Sequence, residues 1–339
     1  MRIYPFRPRR GQRGVALILT LLVLSVLVVV VSQLAVATRL DLKISQNYRG
    51  DVQNTYAIRA GISYAKLFLK SDLENAPDAD TLHETWAKQF EPIQIGEVEL
   101  QLWIEDEDRR FNLNTIVDPQ GAVVSRTKDQ LTRLLQILRT NDNSLVPRLV
   151  DYVDKNTEGL FEKGAKNRPL YTAREIRAIE GFTDIVLFGG TGTGGVTPGL
   201  LPFATTWSAT AINVNTAPVE VLQSLHPDMS RNVAEAIVHW RSVESTPGKG
   251  NVFQQLPGDL TKVPGLKEDL AKKIAPSLAV KSTVFLVHLR ARRGSIEQRV
   301  QAILRRDQGI VKTVALFQDQ TYRSSGILDE EGEKEEAER

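Results

Sequence analysis

The stretch Val15–Thr38 (VALILTLLVLSVLVVVVSQLAVAT) runs for 24 residues without a charge. A helix that is apolar on every side has no wet face, and one this long spans a hydrocarbon layer of about 30 Å. Arg2, Arg7, Arg9, Arg10 and Arg13 precede it. Positive charge of this kind stays on the cytoplasmic side, so everything after Thr38 is expected across the membrane. A secretory signal has an apolar core of only about 7–15 residues, followed by a small-x-small site. The run here is longer, and Ala35-Val36-Ala37 is its sole candidate for such a site. The boundary is more informative, because the basic leader stops at Arg13-Gly14 and the apolar run begins at once with Val15.

Charge returns after Thr38 at Arg39, Asp41, Lys43, Arg49, Asp51 and Arg59, yet apolar residues keep helical spacing at Ile44, Tyr48, Val52 and Tyr56, then at Ile58, Ile62, Ala65 and Leu69. This predicts one helix continuing to about Lys70, broken by the polar stretch Ser71–Asp80 with Pro77. An apolar stripe needs something to lie on. Ile93–Ile95 and Val98–Ile104 alternate with period two. Val284–Leu289, Gln298–Leu304 and Gly309–Phe317 form a second set of strands near the C-terminus, with turns at Arg293-Gly294 and Arg306–Gly309. Together they predict one antiparallel sheet covering the long helix, split in sequence by Asn112–Ala279. The split reads as helical: Ser125–Arg139, Val146–Val153, Ala173–Ile179, Pro218–Leu225, Asn232–Trp240 and Leu266–Ile274. The fold class is therefore α+β, with a large inserted all-helical domain. Inside it, Phe111-Asn-Leu-Asn-Thr115 and Ile212-Asn-Val-Asn-Thr216 echo each other, and their polar side chains are expected to cap the helices that follow and do no more.

Formal net charge over 339 residues is +2, and the basic leader offsets the acidic tail Asp329–Arg339, so no strongly basic surface is left for nucleic acid. The tail is nearly devoid of apolar residues and is expected to be disordered. With no cysteine, disulfides, thiolate metal sites and cysteine nucleophiles are excluded. Gly189–Gly195 (GGTGTGG) matches G-x-G-x-x-G, but Pro198 and Gly199 follow where a dinucleotide site needs a helix, so it reads as a flexible loop. Ile212–Ile237 resembles the helix-hairpin-helix (SAM-like) unit of DNA-binding proteins, and a second hairpin fits at Val263–Lys267. In the first, the turn Pro227-Asp228-Met229-Ser230 lacks both glycines and puts Asp228 where a phosphate would sit, so the fold is expected without its ligand. A membrane-anchored DNA-binding protein is the alternative reading. Asp151-x-x-Asp154-x-Asn156-x-Glu158-Gly159 offers oxygen ligands of the kind a hard cation such as calcium takes from a turning loop. It is not an EF-hand, since Ala165 stands at the twelfth position from Asp154. A solvated polar loop remains the other possibility. His83, His226, His239 and His288 lie far apart and no catalytic set stands out, so the chain does not read as an enzyme.

The Gly14/Val15 junction resembles the site where a prepilin peptidase cuts type IV pilin-like proteins, which would leave Val15 as the mature N-terminus. In that family the fifth mature residue is usually Glu; here it is Leu19. A carboxylate in a bilayer costs about 2.5–3.5 kcal/mol on insertion scales, so a filament subunit carries one only where a neighbour pairs it. A subunit at the filament tip has no neighbour above. Leu19 resembles in this respect the minor pseudopilin K family of type II secretion systems. So do Leu82–Trp86, Ile104–Asp106, Arg110–Asn114, the acidic run after Asp151, Ala173–Gly181 and Ile212–Thr216, taken in order.

The resemblance implies a leader (1–14), a membrane-spanning part (15–38) and a periplasmic part (39–70) of one helix. A pilin-like sheet in two pieces (71–111 and 280–322), an inserted domain (112–279) and a tail (323–339) follow. It also implies a subunit that caps a periplasmic pseudopilus, starts its assembly and supports export of folded proteins across the outer membrane. The implied partners are minor pseudopilins I and J, the major pseudopilin, the prepilin peptidase and the inner-membrane assembly platform. Nucleic acid and a small-molecule substrate are not among them. Calcium is implied as a ligand, for which Asp151, Asp154, Asn156 and Glu158 are the residues to hand.

Overall fold

The computed structural model describes residues 12–140, 142–192, 195–246 and 249–318. Most of the leader and the whole acidic tail 323–339 lie outside these described residues. Helix α1 (Gln12–Asn75) is continuous over 64 residues, about 96 Å at 1.5 Å per residue. It passes Lys70 and stops only two residues before Pro77, about a turn later than the polar composition of Ser71–Asn75 suggests. The helix has two halves. From Gly14 to Arg49 every residue is exposed, and from Gly50 onward one face is covered. Ile58, Ile62, Ala65 and Leu69 are buried as their spacing predicts, but Ile44, Tyr48 and Tyr56 are exposed. The lower stripe thus has no covering layer among the described residues. At Gly61 an added Cβ would stand 2.5 Å from Leu289 and 2.9 Å from Leu100, so glycine there lets the helix settle closely on the sheet.

Five strands make that sheet: β1 (Ile93–Ile95), β2 (Val98–Asp106), β3 (Val284–Arg293), β4 (Ile296–Asp307) and β5 (Ile310–Gln318). They lie in the order β1-β2-β3-β4-β5 and every pair is antiparallel. Alternation along β2 buries Val98, Leu100, Leu102 and Ile104 on one face. These pack with Phe285, Val287, Leu289 and Leu304 against Ala57, Ile58, Ile62, Ala65 and Leu69 of α1, closed at one end by Trp86. Asp106 lies opposite Phe285 on β3, so the chain leaves the sheet and returns to it on adjacent strands. The detour begins at Glu107 and ends at Thr283, wider at both ends than 112–279.

The detour builds two lobes, each with its own core. The first gathers Leu131, Leu134 and Leu135 of α2 (Ser125–Ile137) and Leu145, Leu149 and Val153 of α3 (Leu145–Val153) around Ile116, Phe182 and Leu187. Helix α4 (Asp184–Phe188) belongs to it. The second lobe gathers Val221 and Leu222 of α5 (Val219–Ser224), Ala234 and Ile237 of α6 (Arg231–Ser242) and Leu270 and Ile274 of α7 (Glu268–Ile274) around Phe253. Helices α5 and α6 form the expected hairpin, while Ala173–Ala178 is 3-10 rather than α. The insert is not all-helical. Gly189–Gly192 pairs with Gly195–Pro198 as a β-hairpin where a loose glycine loop was expected, and Glu244–Thr246 pairs with Lys249–Gly250.

The two lobes repeat one plan. Phe111-Asn112 pairs in parallel with Ala204-Thr205, and Ile212-Asn213 pairs in parallel with Leu278-Ala279. In the first, Asn114 donates to the Leu170 carbonyl (3.0 Å) and accepts from the Leu170 N–H (2.8 Å). In the second, Asn215 does the same with Phe253 (3.0 and 2.9 Å). Asn112 and Asn213 each accept from the backbone N–H two residues on, both at 2.9 Å. Asn112 donates to the Ser208 carbonyl (2.5 Å) and Asn213 to Ser282 Oγ (2.7 Å), the corresponding place in each lobe. These asparagines therefore do not simply cap helices. They tie the opening strand of each lobe to segments far along the chain, because a buried backbone pair must find partners and an amide side chain supplies both kinds.

Candidate functional site

The densest buried polar cluster among the described residues sits where the lobes join the sheet. The sequence places Glu105-Asp106-Glu107-Asp108-Arg109-Arg110 at the end of β2, and the fold uses most of these charges for anchoring. Asp108 accepts from Ala209 N (2.7 Å), Thr283 N (2.5 Å), Thr283 Oγ1 (2.9 Å) and Val284 N (3.3 Å). It thereby holds the link between the lobes and the return to β3 in one grip. Asp106 accepts from Asp108 N (2.8 Å), Thr216 Oγ1 (2.5 Å), Ser282 Oγ (2.6 Å) and Asn213 Nδ2 (3.2 Å). Burial, with the Asp108 charge beside it, pushes the Asp106 carboxyl up to about 7 against the pull of its hydroxyl donors. Burial also works to raise Glu105, but Arg110 (2.5 Å) and His288 hold its carboxyl well below the usual range.

A second group of carboxylates lies where α1 ends. Oxygens of Asp72, Asp80 and Glu84 fall within 4.8 Å of one another. Arg306 of β4 reaches both Asp80 and Asp72 (3.4 Å) and lies 4.8 Å over the ring of Phe285. Asp80 also accepts from Ser282 N (2.7 Å), and Glu84 from Trp86 Nε1 (2.5 Å). Burial raises Asp72 to about 6 and Glu84 to about 7. One guanidinium thus serves two of the three carboxylates, and the group keeps protons that an unfolded chain would release.

The acidic loop after α3 folds differently from its spacing. Asp151 faces inward and accepts from Phe161 N (2.8 Å), and a Cβ on Gly159 would fall 2.4 Å from its oxygen. Glycine at that place lets the loop close over the carboxylate. Asp154 is 2 % exposed; one oxygen takes Asn156 Nδ2 (2.7 Å) and the other has no partner among the described residues. Asn156 is used locally, accepting from Glu158 N (2.7 Å), and Glu158 is exposed. In their place Glu162 Oε1 and Asn167 Oδ1 are buried acceptors without donors. Burial raises Asp154, and the charges of Glu162 and Asp151 add to it. Buried oxygens without donors are of the kind that suits a hard cation such as calcium, although the one carboxylate group whose oxygens all fall within 4.8 Å of one another among the described residues is Asp72, Asp80 and Glu84. The inward or buried oxygens of this loop belong to Asp151, Asp154, Glu162 and Asn167, and the sequence motif alone did not include the last two.

The remaining sequence-marked residues are on the stem. Gly14 has nothing within 4 Å of where a Cβ would be, and Val15 and Leu19 are 59 % and 56 % exposed. Among the described residues α1 is the one helix long and apolar enough to cross a membrane. The helix-hairpin turn carries Asp228, which faces His226 (3.6 Å) and Lys273 (3.6 Å), and that carboxylate stands against a phosphate there.

Two family models described as type II secretion system protein K match residues 109–187 and 212–280, one within each lobe. The protein K of Pseudomonas aeruginosa is 31 % identical over 264 residues, covering 73 % of this chain and 78 % of that protein. The protein K of Aeromonas hydrophila is 24 % identical over 327 residues, covering 87 % and 93 %. A chain in the crystal structure of the GspK-GspI-GspJ complex from enterotoxigenic Escherichia coli superposes with a TM-score of 0.62. At 17 % identity it covers 82 % of this chain and 99 % of its own length, which speaks for the fold. All of these relatives are described as type II secretion system protein K or its complex, and they lend the competence-like alternative no support. A long apolar helix on a split antiparallel sheet, two lobes that each match their own family model, and a relative above 30 % identity place this chain in the type II secretion system protein K family.

Proposed function

We propose that the chain is the minor pseudopilin at the tip of the pseudopilus, where it joins minor pseudopilins I and J, starts assembly and supports export of folded proteins across the outer membrane. The observation that carries this reading is the stem: exposed on all sides from Gly14 to Arg49, apolar through Thr38, and bearing Leu19 where a shaft subunit would carry Glu. An exposed apolar helix leaving the lipid is covered by neighbouring stems, and one without the carboxylate has no need of a subunit above it. The two lobes add their bulk to the pilin-like body, and at the tip this bulk meets no neighbour. The body lies in the periplasm, with the leader in the cytoplasm. The role is structural rather than enzymatic.

Processing is the first test. Cleavage after Gly14 removes a leader with five arginines, and Gly14→Asp is expected to keep it, because a side chain at this position blocks the peptidase. Intact mass of the membrane-extracted protein reads the result directly. A variant of the same shortened mass as the unaltered protein contradicts the assignment of the site. The expected consequence of retention is loss of secretion.

Calcium belongs to the same reading as a structural ion in the acidic loop, held by Asp151, Asp154, Glu162 and Asn167. It would relieve the mutual repulsion of three carboxylates and close the loop on the first lobe. Calcium at about 100 times its dissociation constant is expected to stabilise the fold by about 2.7 kcal/mol. Asp154→Ala should abolish that increment, as read by thermal unfolding with calcium and with chelator. A melting temperature indifferent to both reagents counts against the ion.

A further inference from the structure

Between β2 and the two lobes lies a cleft of about 300 Å³, at the lower end of the range of small-ligand sites. Trp86, Trp103 and Phe203 line it, with Lys88 and Arg109 among the polar residues. Arg109 differs from its neighbour. Arg110 is engaged by Glu105, by Glu107 and by the Pro202 carbonyl (3.2 Å). No hydrogen bond or ion pair joins the Arg109 side chain to another described residue. Burial and the charge of Arg110 lower its pKa against the opposing pull of Glu105, Asp106 and Glu107. The indole N–H of Trp103, whose ring stacks on His288 at 4.7 Å, is buried without a hydrogen-bond partner among the described residues.

The carboxylates lining the same cleft are already taken. Glu105 is held by Arg110, and Asp106 by Thr216, Ser282 and Asn213. The cleft therefore has donors to spare and asks a ligand for an acceptor. A guanidinium fork matches a carboxylate in plane, and the nearby Glu105 and Asp106 oppose anything of higher negative charge. Aromatic walls take an apolar stem. We propose that the cleft binds one carboxylate carried on an aromatic or branched apolar stem, with Arg109 holding the carboxylate and Trp86, Trp103 and Phe203 the stem. Such a group comes either from the chain end of a protein or from a free organic acid.

Calorimetric titration of the detergent-solubilised full chain separates these cases. The probes are 3-phenylpropionate and its amide, and an acetylated dipeptide ending in phenylalanine with its C-terminus free or amidated. Each acid is expected to saturate, with its amide weaker by about tenfold or more. Arg109→Gln should erase the difference between acid and amide while leaving the melting temperature unchanged or higher. Tighter binding of the free dipeptide assigns the site to a protein chain end, and tighter binding of phenylpropionate assigns it to a free acid. Equal binding of acid and amide to the unaltered protein, no saturation by either acid into the millimolar range, or undiminished acid binding by Arg109→Gln overturns the proposal. The acid-against-amide comparison needs no variant, so it stands even if Arg109→Gln does not fold.

Discussion

Asp108→Ala is expected to be the most damaging single substitution in the molecule outside the cores. The buried aspartate receives the backbone N–H groups of Ala209, Thr283 and Val284, the last of them buried, and the Thr283 hydroxyl. Alanine leaves three backbone donors without this acceptor; a buried orphan such as Val284 N costs about 1–3 kcal/mol, and the two at exposed residues less, since water reaches them. Partial relaxation brings the expected loss to about 4 kcal/mol or more, in the range reserved for broken buried networks. The damage is also local in kind, because Asp108 joins the link between the lobes to the start of β3. Hydrogen exchange should therefore show the Ala209 and Thr283–Val284 amides opening before the β3–β4 ladder does. A chemical denaturation midpoint within experimental error of the unaltered protein removes the junction from this account.

Arg306→Met ranks next. Removing one partner of a buried ion pair costs about 3–5 kcal/mol, because the other charge stays behind without compensation. Here Asp80 and Asp72 both lose their cation, and Glu84 is close by. Methionine keeps much of the apolar contact with Phe285 over which the guanidinium lies. The loss should depend on pH in a stated direction. Asp72 and Glu84 titrate in the folded chain near 6 and near 7, above their unfolded values of about 4. Between those limits the folded state binds more protons than the unfolded one, so stability falls as pH rises through the window. The unaltered protein should accordingly melt lower at about pH 8 than at about pH 5, by an amount of the order of 5 °C. Arg306→Met should widen that gap, since protonation spares the variant its unpaired charges. Adding Asp80→Asn to it should return part of the loss. A gap that narrows in the variant would show that Arg306 is not what restrains these carboxylates.

What the sequence made legible follows from the range of the interactions involved. Period two in Val98–Ile104 is dictated by one buried sheet face, whereas Val284–Leu289, on the central strand, is buried on both faces and reads as a nearly continuous apolar run. Helical spacing carried α1 past the apolar run, yet it marked Tyr48 and Tyr56 as covered when no described residue covers them. Local periodicity reports an apolar face and is silent on whether the cover is the same molecule. The echo of Asn112 and Asn114 in Asn213 and Asn215 was visible as a pattern, but not its use. Asn114 meets Leu170 at a separation of 56 residues, and no local rule announces such a partner. The acidic loop departs from its spacing for a related reason. Alternating oxygens at Asp154, Asn156 and Glu158 imply a loop turned inward, whereas Asn156 satisfies its neighbours and turns Glu158 out. Glu162 and Asn167 take the inward places after a further turn of chain. The duplication of lobes came through only in the geometry, with its parallel two-residue ladders at corresponding points.

The central claim is that this chain is the tip subunit, and one measurement reaches it most directly. The processed full chain is co-expressed with minor pseudopilins I and J, extracted in detergent and passed over a sizing column with mass detection. The account predicts one equimolar complex of the three, formed equally well by a Leu19→Ala variant, since the position carries no pairing duty. A chain that elutes alone in the presence of both partners contradicts it.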